Sequence, residues 1–594
     1  MNRIPFIPEN APFTAEQRMW LNGFLAGVFS NANPPGASAL ASTLGLDAGP
    51  KTPLTLLYGS QTGTAEGIAK KTAKVAESRG FAPKLVSMDK YSDVDLTKEQ
   101  NVLVITSTYG DGDPPDMAQS FWNWLKADTA PKLEHLRYSV LALGDTNYSA
   151  FCEFGKKCDE RLAALGAKRV ADRKDCDLDY ETPAAEWTTS VFDALGAATQ
   201  QHSGTNGTNG SAVSAETAGA SEGWTRKKPF PARLITNRRL SAEGSGKDVR
   251  HFEISLAGSG LSYEVGDALG VIPSNCSVLV GEILAALGCD GEEAVKTSDG
   301  EMPLRLALTQ HFDITKPSQE LLSAVARHSP GAVFAPLLEP SRKDEMKKWL
   351  HGREIMDVLG CLTTPFPAQD FVALLKKIAP RLYSISSSPK AHPDEVHLTV
   401  AAVRYDAHGR GRKGIASTFL ADRVGETGDV PVYIQASHGF KPPVNGDTPM
   451  IMVGPGTGIA PFRAFLEERL ATGAKGRNWL FFGDQKRATD FLYQEQLEGW
   501  VKDGHLTRLD LAFSRDQAEK IYVQSRMLEA AAELWLWLEA GAHFYVCGDA
   551  SRMAKDVDAA LHTVIETAGG KSSDEAKAYV ERLKSEKRYQ RDVY

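Results

Sequence analysis

The chain has 594 residues, 42% hydrophobic and 24% charged, with a formal net charge of −8. That length calls for more than one core, roughly three to four domains, and the composition is that of ordinary globular protein. An acidic balance without a basic stripe excludes nucleic acid as the main partner, and no apolar run of about 20 residues is present to span a membrane.

Charge and cysteine usage narrow the class further. Residues 53–195 hold 22 acidic and 17 basic side chains, so about a quarter of the chain carries over half the excess. Asp111, Asp113, Asp116, Asp145, Asp175, Asp177, Asp179 and Glu181 fall in loop-like stretches. They read either as a solvated surface or as a face that steers a basic partner. Seven cysteines (152, 158, 176, 276, 289, 361 and 547) form no C-x-x-C pair and no metal-ligand spacing. A reducing compartment is expected, and no metal site. The N-terminus lacks a positive region followed by an apolar core, so cytoplasm is the default expectation.

In chain order, Thr14 and Gln17 make a capping-box start, and Trp20, Leu21, Phe24, Leu25, Val28 and Phe29 follow at helical spacing. This short helix docks on the neighbouring domain or serves self-association or partner binding. A loose segment, Asn31–Gly49, follows it. Strand-like runs Leu54–Tyr58, Val102–Ser107 and Tyr138–Leu143 then alternate with helix-like Ala65–Arg79 and Ala118–Leu125, the pattern of a doubly wound parallel sheet. Residues 199–223 are rich in Gly, Ser, Thr and Asn with almost no large apolar residue, which predicts a flexible tether. Beyond it, Phe230–Val271 and His397–Tyr405 read as β segments around a helix-rich stretch from about Asn275 to Ile378. The βα alternation returns in Met450–Val453, Trp479–Phe482, Leu506–Phe513 and His543–Cys547.

Three loops of the first sheet domain carry phosphate and ring chemistry. Ser60-Gln61-Thr62-Gly63-Thr64-Ala65 lies between a strand and a helix, where backbone N–H groups and hydroxyls cradle a phosphate. No lysine follows Gly63, so it is not a nucleoside-triphosphate loop. Ser107-Thr108-Tyr109-Gly110-Asp111-Gly112 and Leu143-Gly144-Asp145-Thr146-Asn147-Tyr148 follow successive strands and converge with it on one crevice. Tyr109 and Tyr148 offer aromatic faces to a planar ring. Asp111-Gly112-Asp113 is no calcium loop, because Pro114-Pro115 interrupts it.

In the β domain, Arg381-Leu382-Tyr383-Ser384 joins a cation for a diphosphate, a ring to stack and a hydroxyl on one extended segment. Thr399-Val400-Ala401 and Gly414-Ile415-Ala416-Ser417 complete that candidate site. Gly454–Arg463 follows a strand and opens a helix with Pro461 in its first turn. Asp484 is a candidate ribose acid, as for NAD. Ser514, Arg515, Lys520, Tyr522 and Gln524 form a basic, hydroxyl-rich loop suited to a 2′-phosphate, which favours NADP. Cys547 at a strand end is either structural or placed by the nicotinamide.

With these motifs in this order the chain resembles the diflavin reductases, and within them the flavoprotein subunits of assimilatory NADPH–sulfite reductases. The resemblance rests on Arg381–Ser384, Gly454–Arg463, Leu511–Gln524 and the ending Arg588–Tyr594. It implies an α/β multidomain chain. Residues 1–50 would be an oligomerising or partner-binding segment, 53–196 a flavodoxin-like FMN domain and 197–226 a linker. Residues 227–445 would form an antiparallel β-barrel FAD domain with a helical connecting insert at about 275–378, and 446–594 a Rossmann-like NADP domain. The FMN site would run on through Ser149, Ala150, Phe151 and Cys152. Thr315 and Tyr405 would join the FAD residues, and Ile521, Val523 and Asp556 the NADPH residues, while Tyr594 would stack on the FAD ring. Ser384, Cys547 and Asp592 match a trio that assists hydride transfer. Ala401 and Ile415 depart from the family, which commonly has glycine there.

The implied activity is electron transfer from NADPH through FAD and FMN to a siroheme- and iron–sulfur-containing hemoprotein (beta) subunit. That subunit reduces sulfite to sulfide in cysteine biosynthesis, within sulfate assimilation. The competing readings are a diflavin reductase for another haem acceptor and a non-catalytic flavin electron carrier.

Overall fold

The computed structural model describes residues 51–60, 63–110, 112–146, 150–177, 179–200, 223–437 and 439–594. The N-terminal helix expected near Thr14 and most of the expected tether lie outside these residues.

The first domain is an all-parallel sheet in the order β2-β1-β3-β4-β5, with β6 also paired to β4. Its strands are β1 (Thr52–Gly59), β2 (Phe81–Ser87), β3 (Asn101–Ser107), β4 (Arg137–Leu143), β5 (Lys168–Arg169) and β6 (Lys174–Cys176). The central strands β3 and β4 are buried along almost their whole length, as a sheet covered on both faces requires. Helices Thr64–Ser78 and Glu181–Gln200 cover one face; Gln119–Lys126 and Glu153–Ala164 cover the other. Strand β2 escapes the apolar-run criterion because it carries Pro83 and Lys84, which its edge position tolerates. The expected tether is structured at both ends. The helix continues to Gln200, and Trp224 stacks edge-on against Phe230 and donates its Nε1–H to the Ser259 carbonyl.

The second domain holds two antiparallel sheets around one core. One has the order β13-β10-β17-β7, the other β14-β9-β8. They are formed by β7 (Phe230–Ala232), β8 (Leu234–Arg239), β9 (Val249–Ser255), β10 (Ala268–Val271), β13 (Arg381–Ser384), β14 (Glu395–Ala401) and β17 (Val430–Gln435). A bridge between Ile385 and Leu398 joins the sheets. Helices from Ser277–Leu287 to Ala368–Ala373, with the hairpin β11 (Ala294–Thr297) and β12 (Gly300–Pro303), build a separate apolar core between β10 and β13. A second hairpin, β15 (Arg404–Ala407) and β16 (Arg410–Lys413), leads into the helix Ile415–Thr418.

The third domain is again all-parallel, in the order β20-β19-β18-β21-β22. It comprises β18 (Met450–Val453), β19 (Asn478–Asp484), β20 (Arg508–Phe513), β21 (His543–Gly548) and β22 (Tyr589–Val593). Its glycine loop enters the helix Ala460–Ala471, with a proline in the first turn. No helix among the described residues is long and apolar enough to cross a membrane.

The flavodoxin-like sheet packs its loop edge onto this third domain. Tyr109 donates its hydroxyl proton to the Val593 carbonyl (2.8 Å), Arg591 grips Asp116 with two nitrogens, and Ser120 reaches Glu581 (3.3 Å). Lys376, from the second domain, donates to the Thr146 carbonyl (3.0 Å).

Candidate functional site

The first cradle sits at the C-terminal ends of β1, β3 and β4. Gly63 has φ 87°, a left-handed conformation that side chains resist, and from it the chain turns directly into the helix Thr64–Ser78. Ser60 is buried, and its hydroxyl accepts the Ala65 N–H (3.2 Å), fixing the loop over the helix N-terminus. Such an end suits a phosphate, so the residues present fit a mononucleotide. Thr108 accepts the Phe154 N–H (3.1 Å), and Thr146 is held by both carboxylate oxygens of Asp177 (3.1 and 2.6 Å). Cys152 is in the left-handed conformation and buried, with its thiol donating to the Ala142 carbonyl. That fixes where the loop running from Leu143 through Gly144, Asp145, Ala150 and Phe151 returns to helix. Gln61, Thr62, Asn147, Tyr148 and Ser149 lie outside the described residues.

The second cradle is built by β13, β14 and the helix Ile415–Thr418. Arg381 and Leu382 are exposed and Tyr383 packs on the barrel core. A cavity of about 290 Å³ is lined by Thr315, Arg410 and Lys413 together with Glu282 and Glu354 and the apolar Val278 and Ile415, so cations and carboxylates share it. Thr315 is fixed by Asp313, which accepts from both its N–H and its hydroxyl (2.7 and 2.6 Å). Tyr405 is 49% exposed on its hairpin. The Thr399 side chain is buried and its hydroxyl bonds Tyr493 Oη (2.6 Å), and Val400 is core, so these positions offer a ligand their backbone alone. Strand alternation sends the two to opposite faces, Thr399 toward Tyr493 and Val400 into the barrel core.

The third cradle is the glycine loop after β18. A Cβ on Gly458 would lie 2.2 Å from the Cys547 carbonyl oxygen, so the loop packs backbone to backbone on the end of β21. Asp484 is buried and pairs through Oδ1 with Lys247 Nζ (2.5 Å), while Oδ2 has no hydrogen-bond partner among the described residues and lies beside Gly456. Burial raises its carboxyl pKa, and Lys247 opposes the shift. Ser514 and Arg515 donate their N–H groups to the carbonyls of Asp484 and Gln485 (2.9 and 2.8 Å), which sets Arg515, exposed Lys520 and Tyr522 along one rim. Gln524 donates to Asp556 (3.2 Å). Val523 is core, and Ile521 packs against it; Val523 therefore has only its backbone to offer.

The three cradles meet at β22. Ser384, from the barrel, donates its hydroxyl proton to Asp592 Oδ2 (2.6 Å), and the Cys547 thiol approaches the same oxygen (3.8 Å). Residues 208 and 45 positions from Asp592 thus converge on one carboxylate oxygen. Burial raises the Asp592 pKa while the two donors oppose it; burial, and then Asp592, lift the Cys547 thiol well above its ordinary value. Cys547 therefore stays a thiol. Tyr594 extends the strand, with its N–H on the Gly548 carbonyl (3.0 Å) and its hydroxyl against Thr457 of the glycine loop (2.8 Å), and its ring is 64% exposed. Sequence reasoning missed Tyr493, Lys247 and the Arg591–Asp116 pair, whose partners lie 94 to 475 positions away and leave no local signal.

Family models agree with this layout. Residues 56–187 match a flavodoxin model, 223–419 an FAD-binding domain and 452–559 an oxidoreductase NAD-binding domain. A flavodoxin domain joined to a flavin- and nicotinamide-binding reductase module makes this chain a diflavin reductase. It is 46% identical over 590 residues (98% of this chain, 96% of the relative) to the sulfite reductase [NADPH] flavoprotein alpha-component of Bacillus subtilis (strain 168). Similar proteins of the same description occur in Vibrio vulnificus (strain CMCP6), 41% identical over all of this chain and 96% of the relative, and in Shewanella oneidensis, 43% identical over 98% and 96%. The chain belongs to the family of sulfite reductase [NADPH] flavoprotein alpha-components.

Proposed function

We propose that this chain takes electrons from NADPH and delivers them to a siroheme hemoprotein partner that reduces sulfite. The observation that carries the reading is the convergence of all three domains on β22, where Tyr109, Ser384, Cys547 and Asp592 lie within one run of contacts.

Bound FAD, FMN and NADPH would supply hydride transfer and the conversion of electron pairs into single electrons. The protein's own part is positioning and proton control. Arg515, Lys520 and Tyr522 hold the 2′-phosphate end, and the Gly458 loop brings backbone against the pyrophosphate. Tyr594, tethered by Thr457, would cover the ring face and give way to the nicotinamide. Asp592 Oδ2 accepts the protons of Ser384 and Cys547 together, which keeps both hydrogens aimed at one point and limits the thiol to a neutral donor. Arg381, with Arg410 and Lys413 of the cavity, would hold the second flavin, and the helix at Thr64 would hold the first. The Tyr109–Val593 contact brings the first cradle to the strand that Ser384 of the second also touches, a proximity that supports short-range electron transfer between them. The N-terminal 50 residues would supply the self-association of the assembly.

The test is to mix the flavin-loaded protein with NADPH and then add a siroheme hemoprotein and sulfite. Flavin bleaching followed by sulfite-dependent reoxidation is expected. Absence of bleaching would overturn the reductase reading; bleaching with no reoxidation would overturn the partner alone.

A further inference from the structure

Strands β9 and β14 pair antiparallel, with His397 opposite Glu253 and Thr399 opposite His251. Alternation places His251 and Glu253 on one face of β9, and Glu395, His397 and Thr399 on one face of β14. Covering that face are Arg463 and Glu467 of the helix Ala460–Ala471, and Tyr493. His392, in the turn before β14, sets its ring against His397 at 4.2 Å between centroids, tilted by 51°. Two groupings among the described residues bring their donor atoms within 4.8 Å of one another, His251–Glu253–His397 and His392–Glu395–His397.

His397 has a polar atom without a partner. The side chain is 1% exposed; Nε2 faces Glu395 (3.2 Å), and Nδ1 has no hydrogen-bond partner among the described residues. In either protonation state Nδ1 is then a buried polar atom left unpaired, a cost of about 1–3 kcal/mol. A Lewis acid taken up by either nitrogen of His397 turns the close imidazole pair from a burden into a ligand set. The His251 nitrogens are already engaged by Tyr493 Oη (2.9 Å) and Glu253 (3.1 Å), so that ring supports the cluster from behind. His392 and Glu395 have side chains 32% and 36% exposed, which gives an ion a way in and lets both close on it.

We propose that His392, Glu395 and His397 form a divalent-cation site of the zinc class at the boundary of the barrel and the nicotinamide-binding domain. Two imidazoles and a carboxylate with no sulfur suit zinc, with water as the fourth ligand. Zinc–nitrogen bonds of about 2.0–2.1 Å require the donors to draw together, and the two half-exposed side chains provide that movement. The turn that carries His392 is tied to the third domain through Ser388, whose N–H and hydroxyl reach Glu467 (3.1 Å) and Glu468 (2.6 Å). An ion here ties β14, two residues before Thr399, to the turn that Ser388 anchors on that domain.

The experiment uses tag-free, flavin-loaded full-length protein, stripped with a chelator, titrated with zinc and passed over a desalting column. One retained zinc per chain is expected by elemental analysis, with X-ray absorption showing imidazole and oxygen ligands. His392→Gln and Glu395→Gln, each keeping full flavin content, should weaken zinc retention by more than about 100-fold, since even outer partners of a metal ligand are worth 10–100-fold. Failure to retain zinc, sulfur in its coordination shell, or equal retention by both variants would overturn the site.

Discussion

Removing the carboxylate charge of Asp116 tests how the flavodoxin domain is held. Asp116 and Arg591 join through two guanidinium nitrogens, with side chains 27% and 22% exposed. Hydrogen bonds to charged groups contribute about 1.5–3 kcal/mol when buried; partial exposure and salt reduce that here to about 1–2 kcal/mol. A change of that size shifts the docked-to-undocked ratio roughly 5- to 30-fold. Asp116→Asn should therefore enlarge the radius of gyration by small-angle scattering and slow electron transfer between the flavins in stopped-flow. NADPH bleaching of the FAD, the flavin of the second cradle, should be unchanged, because the Ser384–Asp592 contact is untouched. Raising salt in the parent protein should reproduce the effect, as the Debye length falls below about 8 Å, while the variant's rate should depend less on salt. A double-mutant cycle with Arg591→Ala separates the pair from its surroundings. Unchanged scattering together with an unchanged salt dependence would refute the reasoning.

Other outcomes follow from the same geometry. Ser384→Ala removes one donor to Asp592 Oδ2, and hydride transfer should slow about 10- to 100-fold, at roughly 1.4 kcal/mol per decade, while the dithionite titre of both flavins stays the same. Gly458→Ala places a methyl against the Cys547 carbonyl, and overpacking of this kind costs about 1–3 kcal/mol; loss of NADPH-dependent bleaching with the flavins still bound is expected. His543 is held at about 4 by burial and then by Arg588. Between its unfolded value of about 6.5 and pH 4 the unfolded chain binds more protons, so stability falls as pH drops through that window, by up to about 3 kcal/mol. His543→Gln should flatten the acid side of the thermal-denaturation profile, and an unchanged slope there would count against it.

The parts legible in the sequence share one property: each is a local event. Strand, glycine loop and helix come consecutively at Leu54–Ser78 and Met450–Ala471, so periodicity and turn chemistry reveal them without knowledge of the fold. Strand β22 is local too, yet its residues Tyr589-Gln590-Arg591-Asp592-Val593 alternate too little to read as a strand. They are polar because their side chains face other domains: Arg591 takes Asp116, and Asp592 takes Ser384. An edge strand written for interdomain contacts loses the apolar pattern that would announce it. The same trade hides the histidines. His251 and His397 lie on strands about 146 positions apart and meet only because β9 and β14 pair in one register, where a slip of one residue would turn every one of these side chains to the opposite face. Where a site's residues come from one loop, sequence spacing carries the chemistry; where they come from paired strands or facing domains, register carries it. The electron path belongs to the second kind at its centre, at Asp592, and to the first kind at its cofactor cradles.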